Sequence, residues 1–212
     1  MAALPHLSRQ PQLPAYAELR CLSNFSFLKG ASQPEELVTR AQALGYAALA
    51  ITDECSMAGV VRAHVAAKAC GLKLLVGSQF QVSCATPFHL VVLACNLNGY
   101  GNLCEFITRL RCSAEKKGSY HLRLEDTQGA GLADCLMLVC PERSNTPAQL
   151  LVIGQWLLRH FTGRCWLGVT QLLTLDDEIW LHNLRQLSDA TAIALVAVGD
   201  VHMHLRSRKP LQ

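Results

Sequence analysis

The stretch Ala192-Ile193-Ala194-Leu195-Val196-Ala197-Val198-Gly199-Asp200-Val201-His202-Met203-His204 carries the reading of the fold. Ala192–Val198 is an unbroken apolar run. Such a run, with no polar alternation, is the pattern of a strand covered on both faces. Gly199 ends it and the chain turns polar at once. Residues two apart on an extended chain share a side. Asp200 and His202 therefore leave the strand tip together, and His204 joins them only if the chain stays extended. A carboxylate and an imidazole on one face of a strand tip are what a divalent metal site needs. A strand end dipping into solvent is polar too, and two residues do not decide between the readings.

Working outward, the same unit recurs. Short strands are expected at Glu18–Leu22, Ala47–Thr52, Leu72–Gly77, Phe88–Ala94, Leu136–Cys140 and Cys165–Val169. Helices are expected between them. Ser32-Gln33-Pro34-Glu35 has the residues of a capping box with proline in the first turn, and Gly45 stops that helix. The others are Ala58–Cys70, Tyr100–Arg111, Thr146–His160 and Asp176–Leu187. Gly118–Gly131 is polar and poorly periodic, a surface excursion. About seven solid strands alternating with helices predict an α/β fold with a mostly parallel sheet and crossover helices. Periodicity alone leaves a closed barrel and an open doubly wound sheet equally available. In both, ligands collect at the carboxyl ends of the strands. The polar tips Asp53-Glu54, Gln79 and Asp200 agree with that.

Half of the 212 residues are hydrophobic and 17% are charged, so a sizeable core is expected. A net charge of +3 does not by itself announce a nucleic-acid binder. No apolar run reaches membrane-span length, and Met1–Pro14 reads as a lead-in without the marks of a signal peptide. The ten cysteines contain no C-x-x-C pair. They are expected to be reduced core thiols of a cytoplasmic protein.

Several stretches, in order, then resemble one family. Tyr16-Ala17-Glu18-Leu19-Arg20-Cys21-Leu22-Ser23-Asn24-Phe25-Ser26-Phe27-Leu28-Lys29-Gly30 resembles the opening motif of the polymerase-and-histidinol-phosphatase (PHP) domain. So do Ala50–Glu54, Leu75–Phe80, His89–Ala94 with Gly99–Leu103, and Gly199–His202. Cys21–Phe27 and Asp200–Gln212 are similar in particular to the error-prone branch of bacterial C-family DNA polymerases.

The resemblance implies a distorted seven-stranded β/α barrel. It divides the chain into a lead-in at 1–15, the PHP domain at 16–205 and the start of a linker to a polymerase body at 206–212. Active members hold up to three divalent metals, magnesium, manganese or zinc, which activate water against a phosphate ester. Asp53, His89, Asp200 and His202 match ligand positions. Arg20 and Leu22 stand where two histidines are expected, Glu54 where a histidine often follows, Gln79 where a glutamate is common and Lys29 where an aspartate is. Cys140 falls near another ligand position. Leucine has no lone pair, and arginine keeps its positive charge.

The expectation is therefore a catalytically degenerate structural module that holds no cofactor, with Arg20 paired to Asp53 or Asp200 in the old metal pocket. The bland readings make His89 a core histidine and Asp53 a cap for the helix around Met57–Cys70. The parent is expected to be a DNA-directed DNA polymerase of translesion synthesis. Its partners would be DNA, the sliding clamp and mutagenesis accessory proteins, with no membrane. The alternative is a metal-dependent phosphoesterase or 3'-5' proofreading exonuclease.

Overall fold

The computed structural model describes residues 14–127 and 132–212. Residues 1–13 of the expected lead-in and 128–131 of the expected excursion lie outside them. The strands are β1 Ala17–Glu18, β2 Ala48–Ile51, β3 Lys73–Val82, β4 Phe88–Ala94, β5 Cys135–Pro141, β6 Cys165–Val169 and β7 Leu195–Ala197. The helices are α1 Pro34–Ala43, α2 Val60–Cys70, α3 Leu97–Cys112, α4 Pro147–Phe161 and α5 Asp177–Thr191.

The strands form one sheet in chain order, β1 to β7. The ends of that order meet. Cys21 bridges Val201 in parallel, with Leu22 N–H donating to the Val201 carbonyl at 2.8 Å and Val201 N–H to the Arg20 carbonyl at 2.9 Å. The sheet is thus a nearly closed seven-stranded barrel.

Four of the strand pairings are parallel, as the apolar runs suggest. The exception is β4, antiparallel to both β3 and β5. Strand β3 runs past Gly77 to Val82, so only Ser83–Pro87 remains before β4. That link is too short for a crossover helix, and a hairpin results. Helices cover the barrel outside, and α3 to α5 pack Phe106, Leu157 and Leu184 on the outward residues Phe80, Leu90 and Met137. Helices α1 and α2 pack Leu37, Val38 and Ala63 on Leu49 and Ile51. Inside the barrel sit Val91, Leu138, Cys140 and Val198, with Leu93, Trp166 and Val196 beside them.

Local chemistry shifts several boundaries from the sequence expectation. Strand β1 stops at Glu18 because the Glu18 carboxylate takes the Arg20 N–H (2.9 Å) out of the ladder. Helix α1 is capped one residue late, at Gln33, whose N–H donates to Glu36 (2.9 Å). Ser32 instead bonds His204 (2.7 Å). Glu35 and Glu36 in the first turn and Arg40 in the last suit the helix dipole. Asp53 caps nothing, since α2 begins after Gly59. The run Ala192–Val198 is only partly strand: Ala192 takes the left-handed conformation (φ 57°) that ends α5. Arg206–Leu211 forms a 3-10 helix with an Arg208–Glu36 ion pair. All ten cysteines are free, yet only Cys21, Cys55, Cys135 and Cys140 are buried, so the core-thiol expectation holds for four.

Candidate functional site

One end of the barrel gathers the segments after β1, β2, β5, β6 and β7 together with the β3–β4 hairpin. Because β4 runs against its neighbours, its first residues also lie at this mouth. Strand parity does the rest. His89 shares a face with Val91, which points inside. Gln79 pairs with Val91 and Cys140 with His89, so both face the interior as well.

Arg20 enters this space from the segment just after β1 and is only 6% exposed. Its Nε donates to Gln79 Oε1 at 3.0 Å and meets Asp200 Oδ1 at 3.2 Å. The pairing expected for Arg20 is thus made with Asp200, not with Asp53. His202 Nε2 also contacts Asp200 Oδ1 (3.2 Å), and its Nδ1 faces the Gln212 amide nitrogen (2.8 Å). Asp200 sits in a left-handed backbone conformation, φ 51°. Burial works against its ionisation, but the His202 hydrogen bond and the Arg20 charge prevail and hold its carboxyl below the ordinary value.

His89 is mostly buried and its Nδ1 has no hydrogen-bond partner among the described residues. Burial first, then the charge of Arg20, bring its pKa down to about 4. Burial pushes the Cys140 thiol up to about 11, against the pull of Arg20.

The remaining acids are held elsewhere. Both oxygens of Asp53 are occupied: Ser23 N–H (2.8 Å) and Ser26 Oγ (2.7 Å) donate to Oδ1, and Ser23 Oγ (2.7 Å) to Oδ2. Burial still raises its pKa. Glu54 pairs with Lys29 and accepts from Tyr120 Oη (2.8 Å). Leu22 is buried, its N–H spent on the Val201 carbonyl.

Glu18 went unnoticed as a functional residue in the sequence, although it organises the seam where the barrel closes. It is 1% exposed and accepts from Arg20 N–H, Gly199 N–H (3.0 Å) and Tyr16 Oη (2.8 Å). Burial raises its carboxyl pKa in spite of those donors. A side chain at position 199 would place Cβ 2.2 Å from Glu18 Oε2, which is why glycine stands there. The signal for Glu18 was an acid in the first strand two residues before Arg20.

The structure therefore brings Arg20, Gln79, Asp200 and His202 together, with His89 and Cys140 lining the same interior. It keeps Asp53 and Glu54 in clusters of their own. Among the described residues no three His, Cys, Asp or Glu side chains converge as a metal site would require. The donor chemistry of the pocket points the same way. A guanidinium offers only protons, Leu22 offers nothing and the oxygen of Gln79 is engaged by Arg20. These residues do not fit a divalent cluster.

A family model for the PHP domain matches residues 18–145. The chain belongs to the PHP domain family. This PHP domain is 50% identical over 204 residues to an error-prone DNA polymerase from Dechloromonas aromatica, and 47% identical over 210 residues to one from Ralstonia nicotianae. Each match covers 94% of this chain but only 19% of the relative. The chain thus spans about a fifth of the length of the curated relatives it matches. Among solved structures, an amidohydrolase from Chromobacterium violaceum with bound sulfate and no metal superposes with a TM-score of 0.69 at 18% identity, covering 89% of this chain and 88% of that one. A putative metal-dependent phosphoesterase from Bifidobacterium adolescentis gives 0.64 at 15% identity, covering 90% and 88%. At such identities the likeness is one of fold. No helix of the described residues is long and apolar enough to cross a membrane.

Proposed function

We propose that this PHP domain is a structural module of an error-prone DNA polymerase, bracing the polymerase body without binding catalytic metal. The observation that carries the reading is Arg20, whose guanidinium fills the barrel mouth against Asp200 and Gln79. A fixed cation in that space repels divalent ions and takes up the lone pairs they would use. Asp53, His89, Asp200 and His202 are then vestigial ligand positions, and the module needs no magnesium, manganese or zinc.

The names and lengths of the relatives support the choice of parent. In it, nucleotidyl transfer belongs to parts of the polymerase that this chain does not match. The parent copies damaged templates in translesion synthesis in the cytoplasm, on DNA, with the sliding clamp and mutagenesis accessory proteins as partners.

Purified chain with manganese, a single-stranded DNA primer and a generic phosphate ester tests the reading. The expected result is no turnover above that of Asp200→Ala. Turnover that disappears in both Asp200→Ala and His202→Ala would make the mouth a working phosphoesterase or exonuclease and overturn the proposal.

A further inference from the structure

The segments around the barrel mouth divide into two halves of opposite character. Those after β2 (53–59) and β5 (142–146) and the β3–β4 hairpin (83–87) expose no large hydrophobic side chain among the described residues. Those after β6, β7 and β1, consecutive around the rim, do the reverse. Leu173 is 99% exposed, Leu175 105%, Phe27 85% and Leu28 79%, and Leu211 lies between them on the 3-10 helix at 63%. Four of the five most exposed large hydrophobics described belong to this arc, the fifth being Leu97.

These tips are not loose. Leu173 N–H donates to Asp177 Oδ2 (2.8 Å), Thr174 Oγ1 to Asp177 Oδ1 (2.8 Å), and Arg143 clamps Asp177 and the Thr170 carbonyl (2.9 Å). On the other side, Lys29 and Gly30 N–H both donate to the Ser26 carbonyl (3.0 Å each), while Ser26 Oγ is anchored on buried Asp53. Both frameworks force a leucine into left-handed backbone, Leu28 at φ 60° and Leu173 at φ 59°. That conformation is costly for a bulky L-residue and persists where the surroundings impose it. A fold that strains two leucines in order to point them at water has prepared a rigid apolar surface for a partner.

We infer that the rim arc Phe27–Leu28, Leu211 and Leu173–Leu175 is the docking surface for the polymerase body. This rests on the structural-module reading above. The length of the relatives names the occupant: about four-fifths of each lies outside the match, so most of such a chain is available to cover this surface.

Hydrogen exchange compares the free chain with a chimera in which the chain replaces the matched fifth of the Dechloromonas polymerase. Exchange in 24–30 and 171–175 is expected to slow at least about tenfold in the chimera, while the outer faces of α2 (Val61, Val65) and α4 (Leu151, Val152) are unchanged. Protection at α2 or α4 in place of the rim overturns the surface assignment and leaves the module reading standing. No protection anywhere on the chain overturns both.

Co-expression of the free chain with the remainder of that polymerase gives a second measurement that does not depend on the chimera folding. Leu173→Asp/Leu175→Asp is expected to abolish co-purification and Val61→Asp/Val65→Asp to spare it, and the reverse refutes the assignment. Sedimentation of the free chain addresses a second copy as occupant. A discrete dimer dissolved by Leu173→Asp/Leu175→Asp would give the surface to self-association and overturn the proposal.

Discussion

Replacing Arg20 by alanine tests the architecture of the mouth most directly. The change removes a guanidinium that bonds Gln79 at 3.0 Å and pairs with Asp200 at 3.2 Å. Removing one member of a fully buried pair costs about 3–5 kcal/mol, and an exposed pair is worth under about 1. Here the arginine side chain is 7% exposed and that of Asp200 31%, so the ionic loss falls between these limits, at about 2 kcal/mol. Stranding the buried oxygen of Gln79 adds about 1 kcal/mol. The total of about 3 kcal/mol corresponds to roughly 6–12 °C in Tm for a chain of this size.

Urea unfolding of wild type, Arg20→Ala, Asp200→Asn and the double variant separates the terms. Arg20→Ala is expected to cost about 3 kcal/mol, with a coupling to Asp200→Asn of about 1–2 kcal/mol. The acid side supplies a second readout. The folded carboxyl of Asp200 titrates below its ordinary value, so the stability it contributes is complete above that value and lost as pH falls through the depressed one. Without Arg20 this acid limb should flatten. A cost within about 0.5 kcal/mol, the range of an ordinary surface change, together with additivity to Asp200→Asn, would refute the view that Arg20 holds the mouth together.

Three other outcomes follow from the same geometry. His89 titrates at about 4 when folded against an ordinary 6.5, so the unfolded chain takes up the proton first and stability falls as pH drops from 6.5 towards 4, by up to about 3 kcal/mol. His89→Leu should reduce that slope in urea titrations at pH 7 and pH 5, and an unchanged slope would exclude the histidine as its source. Gly199→Ala drives a Cβ onto the thrice-bonded Glu18 carboxylate and is expected to cost about 2 kcal/mol, whereas a neutral result in thermal unfolding would mean that the seam yields. Leu173→Gly relieves a left-handed leucine with almost no contacts to lose and should stabilise the free chain by about 0.5–1 kcal/mol, an expectation that a lowered Tm would contradict.

The sequence made the barrel legible through its apolar runs, and the order of the motifs decided between barrel and open sheet. It did not show the direction of β4. A solid strand such as Phe88–Ala94 reads alike both ways, and only the short Ser83–Pro87 link carries the information. Reading β3 as ending at Gly77 lengthened that link and hid it. The exclusion of a helix cap at Asp53 was equally out of reach, because Ser23 and Ser26, its partners, lie about thirty residues away in the chain. Arg20 was legible as a charge in the wrong place for metal. Its choice of Asp200 over Asp53 depends on the serines having already taken Asp53.

That last dependence describes the whole mouth. A catalytic cluster works by leaving several lone pairs without protein partners, so that a cation must supply the missing charge. Here four carboxylates have local partners: Glu18 has two backbone N–H groups and a phenol, Asp53 two serines, Glu54 Lys29 and Tyr120, and Asp200 Arg20 and His202. Four acids engaged in this way offer a cation few free lone pairs. Their bonds also act mechanically, since the Asp53 anchor ties down the segment that holds Leu28 in place. On the proposed reading, the loss of metal chemistry and the rigidity of the docking rim follow from the same set of hydrogen bonds.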